Sequence, residues 1–436
     1  MWGLSDMSTL QMLVTMSVVI ALAYLGCVSV MSVVAALRAG GRREDAPDSY
    51  DALAASRLTM PVSVVVPVGT TERVSLTLQG LLDLAYPEFE VIAVVEPAGD
   101  GMDALIAEWQ LESREFFYRR TLETAPVRRI FRSLRDARLM VVEKDMEHRS
   151  DALNCGVNLA RYRFVAIVPP NVTFDREALL RAMAPALRDP VSIVGVGSQL
   201  ERIPADRKTA DRSARFQRLQ SIRSLMFTRL FWGHLRRGLG PEDGVVIWRR
   251  DAVLQANGFA RNVVDPDLDM MFRLQHGVGG EDRRFVRNED AFGQTGTRTP
   301  KDVRAAAQRR QHAVLEMSTS WGPGAAQSVG LRTFAYFLES ELVTPVAQLW
   351  VVLATLGGAA AGWLTWTSAL LAVLLLSFGT AVVSAAALLL RGAHPGSPER
   401  DELQALLFLA PLEVLVHRPL QAWARLAGIF SAGART

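Results

Sequence analysis

The sequence predicts an α/β domain that is carried between membrane-spanning helices. Two apolar segments, residues 10–37 and 343–390, flank a long stretch, residues 57–318, in which short β-branched runs alternate with segments of helical spacing. Of the 436 residues, 50% are hydrophobic, and the mean hydropathy is +0.16. That balance is too apolar for a chain that is soluble along its whole length.

The first apolar segment is predicted to be an uncleaved transmembrane helix. Residues 10–37 are long enough to cross about 30 Å of hydrocarbon, and they lack the basic start and the small-residue cleavage site of a signal peptide. Arg38, Arg42 and Arg43 follow directly, in a charged linker over residues 38–56. By the positive-inside rule, the domain after this linker is expected in the cytoplasm.

The middle segment is predicted to form a parallel sheet. Its apolar runs of strand length alternate with helical segments, which is the pattern of a doubly wound, Rossmann-like layout. Ligands of such sheets bind at the carboxyl ends of the strands, where Pro67, Glu96 and Pro169 are expected. The predicted strands are Val62–Val66, Glu90–Val95, Arg138–Val142 and Phe164–Val168, and the predicted helices include Leu76–Leu84 and Leu153–Ala160.

The C-terminal part is predicted to return to the membrane. Residues 343–390 fit two transmembrane helices joined by a turn near Thr365. The last apolar stretch, residues 403–430, is interrupted by Pro411 and Glu413, so it fits either a tilted span or a re-entrant, interfacial pair of short helices. The Arg-rich segment 202–237 has helical spacing and is interpreted as a helix near a charged membrane surface.

Composition excludes several classes of function. The net charge is only +3, and the basic residues do not form the concentrated stripe expected of a nucleic-acid-binding protein. The two cysteines lie far apart in the sequence, which argues against a disulfide framework. The six histidines show no zinc-ligand spacing.

Four segments occur in an order that resembles a known family. They are PVSVVVPVGTTE from Pro61, FEVIAVVEP ending at Pro97, SDALNCGVNLA over Ser150–Ala160 and RFVAIVPPNVTF over Arg163–Phe174. Together they resemble the nucleotide-binding half of membrane-embedded, family 2 type glycosyltransferases, the relatives of cellulose, chitin and hyaluronan synthases. The resemblance implies a Rossmann-like GT-A domain that binds a nucleotide-diphosphate sugar.

The metal-binding motif of that family is missing. In the family, the strand ending near Val168 is followed by Asp-x-Asp, which holds a divalent metal against the donor diphosphate. Here the matching positions are Pro169, Pro170 and Asn171. Mg²⁺ or Mn²⁺ prefers several carboxylate oxygens, so we expect no metal site on these three residues. Asp175 is the nearest replacement ligand, and Asn171 is retained as a donor-side residue.

Three further donor-side residues follow from the resemblance. Glu96 stands where the family places an acid facing the base and ribose, and its alternative interpretation is a solvated loop acid. Arg149 aligns with a basic residue that faces the diphosphate, and an arginine can pair with phosphate bidentately. Asn154 matches the Asn of Ala-Leu-Asn, with helix packing as its alternative. Pro67 lies at the end of the first strand, on the same side.

The catalytic and acceptor residues are also implied by the resemblance. The segment Gly240–Phe259 resembles the acceptor-side loop, in which Gly244 would let the backbone approach a sugar and Trp248 would stack on one, unless it is a buried packing residue. DPDLDMMFRL from Asp265 resembles the family's Thr-Glu-Asp segment. Asp267 keeps the place of the catalytic base, with a helix N-cap as the alternative.

The last motif, Gln-x-x-Arg-Trp, is only partly retained. Gln308 matches, whereas Gln311 and His312 replace the Arg and Trp. Arg309 or Arg310 would then serve the diphosphate, and His312 would stack on the acceptor.

These features predict an inverting hexosyltransferase of the bacterial inner membrane. It would extend a glycan or a lipid-linked acceptor at the cytoplasmic face. Its expected partners are membrane lipids and other envelope glycan-synthesis subunits. One alternative is a catalytically inactive subunit of a cell-envelope polysaccharide machine. Another is a protein that uses the fold to bind a nucleotide or lipid without transfer.

Overall fold

The computed structural model describes most of the chain. The described residues are 9–40, 59–69, 74–96, 101–145, 148–206, 210–231, 238–240, 244–276, 283–288, 292–322, 324, 327, 329–391, 398–415 and 417–432. Most of the linker predicted over residues 38–56 lies outside these ranges.

Within the described residues, eleven strands form one mixed sheet. Its order is β3-β4-β5-β2-β1-β6-β9-β8-β11-β7, and β10 pairs with β8. The strands are β1 (Val62–Val68), β2 (Phe89–Val95), β3 (Leu111–Ser113), β4 (Val127–Ser133), β5 (Leu139–Lys144), β6 (Phe164–Ile167), β7 (Val172–Phe174), β8 (Ile193–Ile203), β9 (Gly244–Arg249), β10 (Arg284–Arg287) and β11 (Gly293–Gly296).

The predicted parallel sheet is correct for its centre and wrong for its flanks. Strands β5, β2, β1 and β6 run parallel, so their carboxyl ends meet at one edge. Strands β4 and β9 run antiparallel to their neighbours in this centre. The central strands are buried on both faces, which gave the continuous apolar runs. Strand β4 exposes Arg128 and Arg129, as a half-covered antiparallel strand can.

Helices cover both faces of this sheet and continue into the apolar segments. In chain order they are α1 (Thr9–Gly40), α2 (Val74–Leu82), α3 (Gly101–Trp109), α4 (Arg149–Leu159), α5 (Ala178–Arg188), α6 (Arg212–Leu230), α7 (Arg250–Gln255), α8 (Pro266–His276), α9 (Pro300–Trp321), α10 (Leu331–Leu338), α11 (Thr344–Ala360), α12 (Trp366–Arg391), α13 (Arg400–Leu409) and α14 (His417–Ala432). A π-helical turn, Glu339–Val343, joins α10 to α11, and a 3₁₀ turn, Ala410–Val414, follows α13.

Three helical segments of the described chain are long and apolar enough to cross a membrane. They are Thr9–Arg38, Leu331–Ala360 and Trp366–Leu390. Helices α1 and α12 run in the same direction, because Leu25 and Leu376 share one cluster while Ala36 and Leu388 share the next. Helix α11 runs the opposite way and reaches α12 through a turn at Gly362, whose φ is +74°. A left-handed φ of this kind suits glycine.

The last apolar stretch forms two short helices that meet at a bend, and we call this segment the C-terminal hairpin (residues 400–432). At its start Glu402 faces Arg218 of α6, and at its middle Val414 packs beside Leu25 and Leu376. The two helices meet at an angle of 49°, and Arg425 lies beside Glu341. The bend fits both arrangements that the sequence left open, a tilted, broken span and a re-entrant pair.

Helix α6 joins the α/β domain to the apolar helices through buried charges. Arg218 lies 2.6 Å from Glu201 of β8 and 3.3 Å from Glu402 of the C-terminal hairpin. Arg223 pairs with Glu413 and donates to Ser384 of α12 at 2.9 Å. A helix was predicted within residues 202–237, and the structure has one over Arg212–Leu230. The sequence did not indicate that these two arginine side chains are buried against protein carboxylates.

The basic residues that follow α1 predict that the α/β domain lies in the cytoplasm. Ser113 is exposed on β3, far in sequence from every apolar segment. In a variant without Cys27, Ser113→Cys should stay unlabelled by a membrane-impermeant maleimide in intact bacterial cells and become labelled once the cells are opened. Ready labelling of intact cells would reverse the orientation.

Candidate functional site

The site lies at the edge where the parallel strands end. Helices α4 and α8 both begin there, and their first turns carry Arg149 and Asp267. The Oδ1 atom of Asp265 accepts a hydrogen bond from the Leu268 amide at 3.0 Å, so Asp265 is the residue that caps α8. The capping alternative for Asp267 is therefore wrong, and its carboxylate is left for another role.

Asp267 is a largely buried carboxylate with one charged partner. Its Oδ2 atom lies 3.0 Å from Nη2 of Arg149, and its Oδ1 atom is buried without a hydrogen bond. Burial raises the pKa of Asp267, the Arg149 charge lowers it, and Asp265 and the Trp248 indole have smaller effects. The net shift is upward, as a general base requires.

Arg149 is held in place by an ion pair that the sequence analysis missed. Nζ of Lys144, at the end of β5, lies 2.5 Å from Oδ2 of Asp151 in the first turn of α4. Oδ1 of Asp151 accepts from the Ala125 amide at 2.8 Å. Both charged side chains are almost fully buried, so the pair fixes the start of α4 against the strand end. The sequence signal that could have indicated this pair is a lysine at the end of an otherwise apolar strand.

Asn154 holds the turn after α7. Its amide nitrogen donates to the Phe259 carbonyl at 3.0 Å, and its amide oxygen accepts from the Phe259 N–H at 2.8 Å. Gly258 adopts a φ of +73°, and a Cβ there would lie 2.6 Å from the Asn154 oxygen. The contacts of Asn154 correspond to the packing alternative, and they place this turn beside the start of α4.

The strand end that replaces Asp-x-Asp offers few metal ligands. Asn171 has a φ of +68°, its backbone N–H donates to Thr77 at 3.0 Å, and its side chain is exposed. Asp175, the suggested replacement ligand, pairs with Arg181 at 2.9 Å. The described residues contain no group of three or more His, Cys, Asp or Glu side chains that could hold a metal. This donor set does not fit a hard divalent cation.

The nucleoside side of the site is described only at its inner end. Pro67 is half-buried in β1, and the Glu96 N–H donates to the Val68 carbonyl at 3.2 Å. Both residues therefore lie at the expected edge. The loops that follow them, residues 70–73 and 97–100, fall outside the described part of the chain.

On the acceptor side, Trp248 does not fit the stacking role. Its side chain is fully buried, with ring centroids 5.5 Å from Phe285 and 6.1 Å from Phe259. Aromatic rings therefore pack around the indole in the core, and the packing interpretation is the correct one. Gly244 is half-buried at the start of β9 and stays an expected acceptor residue.

Helix α9 places its four expected residues differently. Gln308 and His312 are half-buried, and Arg309 is exposed. Arg310 is buried: it donates to Glu341 at 3.0 and 3.2 Å and lies 3.5 Å from Asp265. Arg310 thus links the cap of α8 to the π-helical turn, and Arg309 is the residue with an exposed guanidinium.

Three solved glycosyltransferase structures are similar to this chain to different degrees. A mannosyltransferase from Pyrobaculum calidifontis, solved with GDP-Man and Mn²⁺, superposes with a TM-score of 0.52 at 20% identity, over 93% of this chain and 99% of that one. TarS of S. aureus gives a TM-score of 0.38 at 14% identity, over 86% and 92%. Glucosyl-3-phosphoglycerate synthase of Mycobacterium tuberculosis gives 0.36 at 13% identity, over 62% and 82%.

The first of these likenesses supports the expected mixed α/β fold of GT-A glycosyltransferases. At 20% identity it bears on the fold alone. Neither a protein-family model nor a curated protein matches the sequence.

The donor set at Asn171 predicts weak metal binding. Titration of the purified protein with Mn²⁺ in a calorimeter, without nucleotide, should give no site of micromolar affinity, because the prolines supply no side-chain ligand and Asp175 is paired with Arg181. A micromolar site that is lost in Asn171→Ala would contradict this expectation. A micromolar site that is lost in Asp175→Asn would contradict it as well and would identify Asp175 as the replacement ligand.

The raised pKa of Asp267 predicts that its charge destabilises the fold. A carboxyl whose pKa is higher in the folded state contributes stability below its unfolded pKa, and that contribution is lost as the pH rises through the folded pKa. Asp267→Asn should therefore raise the thermal unfolding midpoint at pH 7, and the gain should shrink as the pH falls through the folded pKa of Asp267. Asp251→Asn, at an exposed carboxylate, is the control; a lower midpoint for Asp267→Asn at pH 7 would contradict the argument.

Proposed function

We propose that the protein is an inverting glycosyltransferase that acts at the cytoplasmic face of a membrane. The observation that carries the proposal is Asp267, a largely buried carboxylate that has a raised pKa and lies 3.0 Å from Arg149 at the carboxyl edge of the parallel strands. A base of this kind suits removal of a proton from an acceptor hydroxyl. The three apolar helical segments support the membrane location.

In the proposed reaction, Asp267 takes the proton of the acceptor hydroxyl as its oxygen attacks the anomeric carbon. The bond from that carbon to the diphosphate oxygen breaks on the opposite face, so the configuration inverts and the electron pair leaves with the diphosphate. The Arg149 guanidinium stabilises the negative charge that develops there. This route relies on the arginine for positive charge at the leaving group.

The Arg149–Asp267 pair links donor binding to activation of the base. Arg149 is half-exposed and lies 3.0 Å from the carboxylate, so an arriving diphosphate competes for it. Once Arg149 turns to the phosphates, the interaction that lowers the pKa of Asp267 weakens. The carboxylate then becomes a stronger base when a donor is bound.

A second candidate is an inactive subunit of an envelope polysaccharide machine. The lack of fitting metal ligands at Asn171 favours it, as does the rigid attachment of the domain through Arg218 and Arg223 of α6. If the protein is such a subunit, substitutions in α6 should impair complementation of a deletion strain, whereas substitution of Asp267 should not.

Replacement of the base distinguishes the two functions. Asp267→Asn keeps the shape of the side chain but cannot take the proton, so turnover should fall by about 10²–10⁴-fold. The measurement is transfer with the donor found by screening nucleotide sugars for hydrolysis, with and without Mn²⁺ or Mg²⁺. Donor affinity should be retained or rise, because the base contacts the acceptor and the substitution frees Arg149 for the diphosphate.

Asp251→Asn is the matched control, because Asp251 also lies in the first turn of a helix but is exposed and paired with Arg249. Its turnover should equal that of the unmodified protein. Full complementation of a deletion strain by Asp267→Asn would overturn the enzymatic function. Substitutions in α6 that abolish complementation would then favour the inactive subunit.

A further inference from the structure

A cavity of about 90 Å³ lies between the sheet and the C-terminal hairpin. Strand β8 and helices α6, α9 and α14 each contribute to its wall. A volume of this size holds several water molecules or one compact polar group. The cavity is separate from Asp267 and Arg149, neither of which lines it.

The lining of this cavity is cationic and amide-rich. Among the described residues that form it are three arginines, Arg202, Arg298 and Arg425, and no Asp or Glu side chain. Glutamine and serine side chains supply further hydrogen-bonding groups, including Gln220 and Ser224. Arginine forks and neutral donors without a carboxylate are the groups that recognise phosphate oxygens.

The first connection of the cavity runs to the donor side of the site. Arg202 on β8 is paired in register with Thr295 on β11. The Thr295 hydroxyl donates to the carbonyl of Asn171, at the position of the missing metal motif, at 3.4 Å. Two strand spacings of about 4.8 Å therefore separate β8 from β7, so the strand that lines the cavity lies about 10 Å from β7.

The second connection runs to the base. Arg425, in the cavity wall, lies 3.4 Å from Glu341, which also pairs with Arg310. Arg310 in turn faces Asp265, the cap of the helix that carries Asp267. Side-chain and strand contacts therefore connect the cavity wall both to the donor edge and to the helix that carries the base.

The C-terminal hairpin offers a route for an apolar tail. It supplies Gln421 and Arg425 to the cavity, while its other side chains Phe408, Leu412, Leu420 and Trp423 are exposed. Phe408 is 81% exposed and Trp423 is 64% exposed, which is unusual for such large apolar side chains unless lipid covers them. A molecule with an anionic head and a hydrocarbon tail matches both surfaces.

We propose that this cavity binds the phosphate or diphosphate group of a lipid-linked acceptor, with the lipid tail against the C-terminal hairpin. The proposal rests on the proposed function and names the class of its acceptor. Arg202, Arg298 and Arg425 contact the phosphate oxygens, and the group to be glycosylated extends towards Asp267.

Binding of three probes tests this proposal without any sugar donor. Farnesyl diphosphate, farnesol and inorganic pyrophosphate are each titrated into the full-length protein in detergent micelles, and affinity is followed by calorimetry. Farnesyl diphosphate should bind at least tenfold more tightly than either of the others, because only it presents both the anion and the tail. Equal binding of farnesol would overturn the anionic site, and equal binding of pyrophosphate would overturn the lipid source.

Two charge-changing variants locate the binding. Arg298→Gln removes one guanidinium and should weaken farnesyl diphosphate binding about tenfold. Gln220→Glu has nearly the same shape and keeps the oxygen that accepts from Gln421, but it adds a negative charge and should weaken binding by a similar factor. Arg114→Gln and Gln79→Glu, on exposed surfaces, are the matched controls and should bind as the unmodified protein does.

Unchanged affinity in either cavity variant would overturn the assignment of the cavity. The thermal unfolding midpoint of each variant is compared with that of its control to detect a folding defect. Two independent substitutions are used so that a folding defect in one of them does not decide the result. Donor turnover is measured separately. Turnover with no lipid binding would remove this proposal alone, whereas lipid binding without turnover on any donor would remove the proposed function alone.

Discussion

The arrangement of this protein depends on charges that are buried where the α/β domain meets the apolar helices. Arg218 and Arg223 lie about one and a half turns apart on α6. Their side chains pair with carboxylates on β8 and on the C-terminal hairpin. Removing one partner from such a pair costs about 3–5 kcal/mol, because a charge is left buried without compensation. The domain is therefore held at one orientation, which keeps the site at a fixed height above the apolar helices.

The site itself balances two opposing demands. Asp267 has to be buried for its pKa to rise, yet a buried charge needs compensation, and Arg149 provides it from a half-exposed position. The Lys144–Asp151 pair and the Asn154 amide then fix the two segments that bring these groups together. These buried contacts fix the positions of the groups around the site, whereas Oδ1 of Asp267 is buried and has no hydrogen-bond partner of standard geometry.

The sequence predicted the parts of the fold that depend on local pattern. The central strands were found because complete burial leaves only apolar, β-branched residues, as in β1. Strand β4 was not predicted, because its arginines obscure the alternation of apolar and polar residues that marks a half-buried strand. The roles of Trp248 and Asn154 depended on which neighbours surround them, and a family resemblance carries no such information. The sequence left the path of the C-terminal hairpin open for the same reason, because the contacts that place it, such as Val414 beside Leu25, are not local.

The π-helical turn Glu339–Val343 holds one extra residue between α10 and α11. Deleting one residue inside either α-helix would rotate its two halves by about 100° relative to each other. Deleting one residue inside the π-helical turn would instead leave an α-helical turn and keep α10 and α11 close to their present register. Glu341 pairs with both Arg310 and Arg425, so a deletion at another position of this turn should be tolerated better than a deletion within either helix.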